Sequence, residues 1–157
     1  MAYESDEIDR RILDVLLRDG RTPASQIADQ IGLSRPAVAD RIEKLERQGV
    51  IRGTTVVLSP VSQGRSVTAF VSARGPGFLP KARKAFDELL AGDEVVEAHS
   101  VAGDDCYLIK VRTDTIASLN QLVSRLTSQP LALITRTTIV METFCEKVGG
   151  IDLGSGR

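Results

Sequence analysis

The chain has 157 residues, 42% of them hydrophobic and 26% charged, with a formal net charge of −1. This is an ordinary globular balance, enough for one mid-sized domain or two small ones. It excludes a membrane-spanning helix, because no apolar run approaches the ~18–20 residues needed. It also provides no global basic signature for nucleic acid, since residues 1–65 carry 10 basic and 10 acidic side chains.

Apolar residues at Ile8, Ile12, Leu13, Leu16 and Leu17 recur with helical spacing over residues 6–18,. Asp6 is placed to cap that helix, Glu7 and Asp9 suit its positive end, and Gly20 stops it. A second helix is expected from Thr22, with Pro23 at its first position, Ile27, Ala28 and Ile31 inward, and Gly32 at its end,. Ser34 caps a third helix that runs to about Gln48, with Val38, Ile42 and Leu45 as its buried stripe,. The β-rich run Val50–Leu58 then forms either a short wing hairpin or one strand leading into the linker-like segment Ser59–Gly64,.

The second half reads strand Val67–Ala73, helix Pro80–Leu90, strands Glu94–Val101 and Cys106–Arg112 around a tight Gly103-Asp104-Asp105 turn, a helix capped by Asp114, and strand Ile134–Thr143,. The order βαββαβ predicts a ferredoxin-like sheet with two helices on one face. The fold class is therefore α+β, with an N-terminal helix-turn-helix (winged-helix-like) domain in front of that sheet. Residues 149–157 are Gly-rich and read as a frayed tail or a leftover of expression cloning.

The helix-turn-helix reading rests on small residues at set offsets. Ala28 allows close helix crossing, Gly32 supplies a left-handed turn, and Val38 fills the angle between the helices. In such a motif the N-terminal turn of the last helix reaches base edges. The candidate DNA-contacting residues are Ser34, Arg35, Pro36, Ala37, Asp40, Arg41, Lys44 and Arg52. Arg and Ser suit phosphates or guanine edges, and Pro36 and Ala37 suit thymine methyls. Pro36, Asp40, Lys44 and Arg47 lie opposite the buried stripe, whereas Arg41 sits ~60° from it, on its border. The competing reading is a solvated face, in which Asp40–Lys44 and Glu43–Arg47 form a surface ladder.

Cys106 and Cys145 match no zinc spacing, and His99 is the sole histidine,. No metal and no cofactor are expected, and both thiols read as reduced. The acidic start, Met1–Glu7, lacks a signal pattern, so the expected location is the cytoplasm.

The pattern Asp9-x-x-Ile12-Leu13, Asp19-Gly20-Arg21, Ile27-Ala28, Gly32-Leu33-Ser34, Val38-x-x-Arg41-Ile42-x-x-Leu45-Glu46, Gly49-Val50-Ile51, Gly64, Val101-x-Gly103-Asp104 and Tyr107–Val111 resembles the Lrp/AsnC (feast/famine) family of transcription regulators. The resemblance covers residues 6–146. It implies a DNA-binding domain at 1–53, a strand or linker at 54–65, a βαββαβ effector-binding and oligomerisation domain at 66–147, and a flexible tail at 148–157. It further implies dimers made by sheet-to-sheet stacking, joined into tetramers or octamers, that bind a pseudo-palindromic operator. An amino acid or related small molecule would bind between dimers near Ser100, Val101, Ala102, Gly103, Asp104, Asp105 and Cys106. A carboxylate and carbonyls suit its ammonium, and free N–H groups suit its carboxylate.

One departure stands out. Many members carry an aromatic residue and then aspartate where this chain has Asp105-Cys106. A one-place shift along a strand turns a side chain to the other face, and a subgroup with a different effector, or none, is the alternative. Two other functions compete with a regulator. One is a siroheme-decarboxylase-like enzyme of the same fold, against which the single histidine argues. The other is an amino-acid sensor without DNA binding, against which Arg35 and Arg41 argue. The expected protein is not an enzyme.

Overall fold

The computed structural model describes residues 4–75, 80–148 and 151–152. They divide into two compact units: one holds the residues up to Val57 together with the described residues from Phe144 onward, and the other is Leu58–Thr143.

The first unit contains three helices, α1 (Glu7–Arg18), α2 (Ala24–Ile31) and α3 (Arg35–Arg47). Asp6 caps α1 as expected: its Oδ1 accepts from the Asp9 amide at 2.8 Å, and the Asp9 carboxylate accepts from the Asp6 amide at 3.3 Å,. The apolar stripe is shifted from the expected one. Val15 packs inward while Leu17 is 49% exposed, and Asp9 is fully buried on the same side as Ile12. The helix ends at Arg18 with Asp19, not Gly20, as its cap. The Asp19 carboxylate holds the Arg21 amide at 2.9 Å, closing the turn locally,. At Gly20 the constraint is space, because a Cβ there would lie 3.0 Å from the Thr54 methyl.

Helix α2 begins at Ala24, so Pro23 stands at the cap position and not inside the first turn. Gly32 adopts φ +74°, and both its amide and that of Leu33 reach back to the Ala28 carbonyl, at 2.9 and 3.1 Å. That left-handed step is the turn between α2 and α3. Ser34 caps α3 through its hydroxyl, which accepts from the Ala37 amide at 3.4 Å. Ile12, Ile27, Ala28 and Val38 close the small core shared by the three helices.

Residues 52–59 join no ladder and form no helix. Of the two expectations for Val50–Leu58, the wing hairpin is not found, and the remaining route, into the linker, is not a strand either. A strand needs a neighbour to take up its N–H and C=O groups, and none of the described segments pairs with it. Val56, Val57 and Leu58 accordingly stay half or more exposed.

The second unit has the predicted order: β1 (Val67–Arg74), α4 (Pro80–Leu90), β2 (Val95–Ser100), β3 (Tyr107–Thr113), α5 (Ile116–Thr127) and β4 (Ile134–Ile139). The strands lie in the order β2-β3-β1-β4, every neighbouring pair antiparallel. Alternation along β1 and β3 sends Ala69, Val71, Ala73, Ile109 and Val111 to one face, where Phe86 and Leu89 of α4 and Leu119, Leu122 and Leu126 of α5 cover them,.

Three expectations are corrected here. The cap of α5 is Thr115, whose hydroxyl accepts from the Ser118 amide at 3.1 Å, while Asp114 holds the Thr115 amide at 2.8 Å. Strand β4 stops at Ile139 instead of Thr143: Ile139 pairs with Ala69, and just beyond it the Val140 amide donates to the Thr68 carbonyl at 2.9 Å. Within the expected tail, Val148, Ile151 and Asp152 belong to a short ladder between β5 (Lys147–Val148) and β6 (Ile151–Asp152). The rest of that tail, residues 149–150 and 153–157, lies outside the described residues.

Candidate DNA interface and effector loop

The candidate interface is built on α3. Ser34, Arg35 and Pro36 form its exposed N-terminal turn, and Ala37 behind them is half-buried. Asp40 and Lys44 are exposed further along, and Arg52 is exposed beyond the helix. This turn carries no acidic residue, so the positive helix end and the Arg35 guanidinium share one edge. The ladder reading holds for Glu43 and Arg47, which pair at 2.5 Å with both side chains mostly exposed.

Arg41 is placed differently from the others. Its Nη1 donates to Asp6 Oδ2 at 2.6 Å and to Asp9 Oδ1 at 2.7 Å. The Asp9 side chain is 1% exposed, that of Arg41 30% and that of Asp6 54%. The Asp9 amide first, and then the Arg41 guanidinium, hold the Asp6 carboxyl below the usual carboxylate range,. In return the two carboxylates, Asp6 foremost, push the Arg41 guanidinium up. The sequence reading assigned Asp9 to the helix dipole alone. A signal was available, because Asp9 lies three residues before Ile12 and so shares its buried side, where a carboxylate needs a cationic partner.

The effector-loop candidates sit at one end of the sheet, between β2 and β3. The Val101 amide donates to the Cys106 carbonyl at 2.9 Å, closing the loop, and the Cys106 amide donates to Ala73 on β1 at 3.0 Å. Ser100, Val101, Ala102, Gly103 and Asp104 are exposed. Gly103 has φ +136°, a conformation open to glycine and strained for other residues,. The two neighbouring acids have separate fates. Asp105 is half-buried and pairs with Arg136 of β4 at 3.0 Å, whereas Asp104 faces solvent. His99, on β2, is exposed beside Glu97 at 3.5 Å. Among the described residues, no group of His, Cys, Asp and Glu is arranged to hold a metal ion, and no helix is long and apolar enough to cross a membrane.

A trihelical unit that exposes the start of its last helix, followed by a four-stranded α+β sheet, is the architecture of a two-part DNA-binding transcriptional regulator. Residues 5–52 match the winged helix-turn-helix DNA-binding family, and residues 68–149 match the Lrp/AsnC ligand binding domain. The chain belongs to the Lrp/AsnC family of transcriptional regulators. It is 36% identical over 142 residues to the leucine-responsive regulatory protein of Escherichia coli, covering 87% of this chain and 85% of that one. It is 33% identical over 146 residues to the transcriptional regulator FL11 of Pyrococcus abyssi, covering 93% and 95%. The structure of E. coli AsnC superimposes with a TM-score of 0.82 at 28% identity, covering 93% and 98% of the two chains. A feast or famine regulatory protein of Mycobacterium tuberculosis, complexed with L-methionine, superimposes with a TM-score of 0.80 at 32% identity, covering 90% and 95%. These relatives are regulators, and regulation, not tetrapyrrole decarboxylation, is the function of this chain.

Proposed function

We propose that α3 enters the DNA major groove with Ser34, Arg35, Pro36 and Ala37 leading, Asp40 and Lys44 lying along the groove, and Arg52 on a phosphate. The observation that carries this reading is the exposed N-terminal turn of α3, held rigid by the Gly32 turn and the Ser34 cap. Base contacts need a helix whose position is fixed by the body behind it. A homodimer, assembled into a tetramer or octamer, would present such helices in symmetric pairs to a pseudo-palindromic operator.

The sheet unit takes an amino acid, or a chemically related molecule, at the loop Ser100–Cys106 between subunits. An exposed Asp104 offers a carboxylate to an ammonium, and the open backbone at Gly103 offers main-chain groups to a carboxylate. The L-methionine complex of the mycobacterial relative supports an amino acid as the class. Ligand binding changes DNA affinity only as far as it favours one assembly or conformation over another.

The test is a titration of duplex DNA from upstream of the chain's own coding sequence at several salt concentrations. Wild type should lose affinity steeply with salt. Arg52→Ala should flatten the salt slope by about one unit while weakening all sequences alike. Arg35→Ala should weaken the preferred sequence by about 1–3 kcal/mol and relax discrimination at one base position. A wild-type protein that does not bind this DNA at low salt would sink the assignment.

A further inference from the structure

We propose that Arg41, Asp6 and Asp9 form a latch that sets the angle at which α3 meets DNA, so that two acidic residues of α1 favour DNA binding although neither touches it. The inference rests on α3 being the groove-entering helix.

The apolar core cannot supply this angle alone. Val38 and Ile42 pack against Ile12, Ile27 and Ala28 through contacts without directional preference,, and such a seam tolerates small rotations. Charge-assisted hydrogen bonds are short and directional. Arg41 Nη1 makes two of them, 2.6 and 2.7 Å long, to carboxylates one helical turn apart on α1. One of those carboxylates, Asp9, is buried at 1% exposure, so the guanidinium is committed to the charge beneath it,. Asp6 is also the α1 cap, which ties the start of that helix to the middle of α3. A guanidinium held this way is a positioning group and not a reader of bases or phosphates.

The latch makes a prediction whose sign is opposite to that of simple electrostatics. Asparagine caps a helix about as well as aspartate, so Asp6→Asn keeps α1 capped while removing one anion and one charge-assisted bond to Arg41. If Arg41 were a DNA contact restrained by Asp6, releasing it and deleting a negative charge would tighten DNA binding. The latch instead requires Asp6→Asn to weaken binding, by roughly three- to tenfold for the loss of a charge-assisted bond, because the asparagine Oδ1 stays on the Asp9 amide and its Nδ2, a donor, faces the guanidinium. The salt slope should keep its wild-type value, because no phosphate contact is lost.

The experiment measures affinity and salt slope of the full chain for duplex DNA from upstream of its own coding sequence, well below each variant's unfolding midpoint. The variants are Asp6→Asn, Arg41→Gln and the two combined. The expected result is weaker binding by Asp6→Asn at unchanged slope, with no further loss when it is added to Arg41→Gln, since the two act through one contact. Unchanged or tighter binding by Asp6→Asn overturns the latch. A flattened slope for Arg41→Gln, or losses that add, overturns it as well, by making Arg41 a phosphate or base contact. Failure of wild type to bind overturns the underlying reading of α3 instead, and is told apart by occurring before any substitution.

Discussion

At the residue scale, one guanidinium governs the first unit. Arg41 has two acceptors, one of them buried, and a buried carboxylate deprived of its cation is costly,. One of the Arg41 acceptors, Asp6, is also held below the ordinary carboxylate range, first by the bond it accepts from the Asp9 amide and then by Arg41. The Asp6 carboxyl titrates below its ordinary value of 3.8 in the folded state. Its stabilising contribution is therefore complete above that ordinary value and is lost as pH falls through the lower, folded-state value. Thermal unfolding of the full chain followed from about pH 7 down to about pH 2.5 should show stability declining below about pH 4. The Asp6→Asn variant should show a shallower decline over that window, because one of the groups that must be protonated is gone. An identical acid limb for both proteins would show that the Asp6 ion pair does not matter to folding.

At the scale of elements, the α2–α3 turn depends on one backbone conformation. Gly32 sits at φ +74° with open space where a side chain would go, so any penalty for substitution is conformational and not steric. A β-branched residue in the left-handed region is strained, and Gly32→Val should cost about 1–2 kcal/mol. Gly32→Asn should cost clearly less, since asparagine tolerates this region. Denaturant unfolding of the two variants checks the order, and equal losses would point to a packing cause instead. The sheet follows a different rule. Strand β4 ends at Ile139 although β-rich sequence continues beyond it, and the β-rich stretch after α3 joins no ladder. A strand's length is set by its neighbour as much as by its own residues.

At the scale of the whole molecule, the two units carry separable tasks, so damage to one should spare the other. Gly103 is exposed, at φ +136°, in the loop proposed for the effector. Gly103→Trp should abolish the response to the effector while leaving DNA affinity in its absence near wild type. A thermal-shift screen of the free amino acids identifies the molecule to use, because a ligand that binds only the folded state raises apparent stability, by about 2.7 kcal/mol at a hundredfold excess over Kd. A variant that still shows the wild-type shift and the wild-type change in DNA affinity would place the site elsewhere. Asp105 adds a second consequence at this scale. Paired with Arg136 at 3.0 Å, it ties the loop to β4, whereas Asp104 faces solvent.

The sequence by itself determined the three N-terminal helices, the βαββαβ order, the αL turn at Gly32 and the caps at Asp6 and Ser34. Each of these is written in a few consecutive residues, through periodicity, capping side chains and glycine's freedom at positive φ. It also placed the exposed turn Ser34–Pro36, because helical spacing alone separates that turn from Val38 and Leu45. Tertiary structure decided where the charges go. Arg41 reaches back 35 residues to Asp6 and 32 to Asp9, and Arg136 reaches back 31 to Asp105. No local pattern distinguishes a guanidinium aimed at DNA from one aimed at a carboxylate on another helix. The difference lies in which partner is buried beside it, and burial is a property of the packed chain, so Arg41, one of the candidate DNA contacts in sequence, is held by α1 once the helices come together.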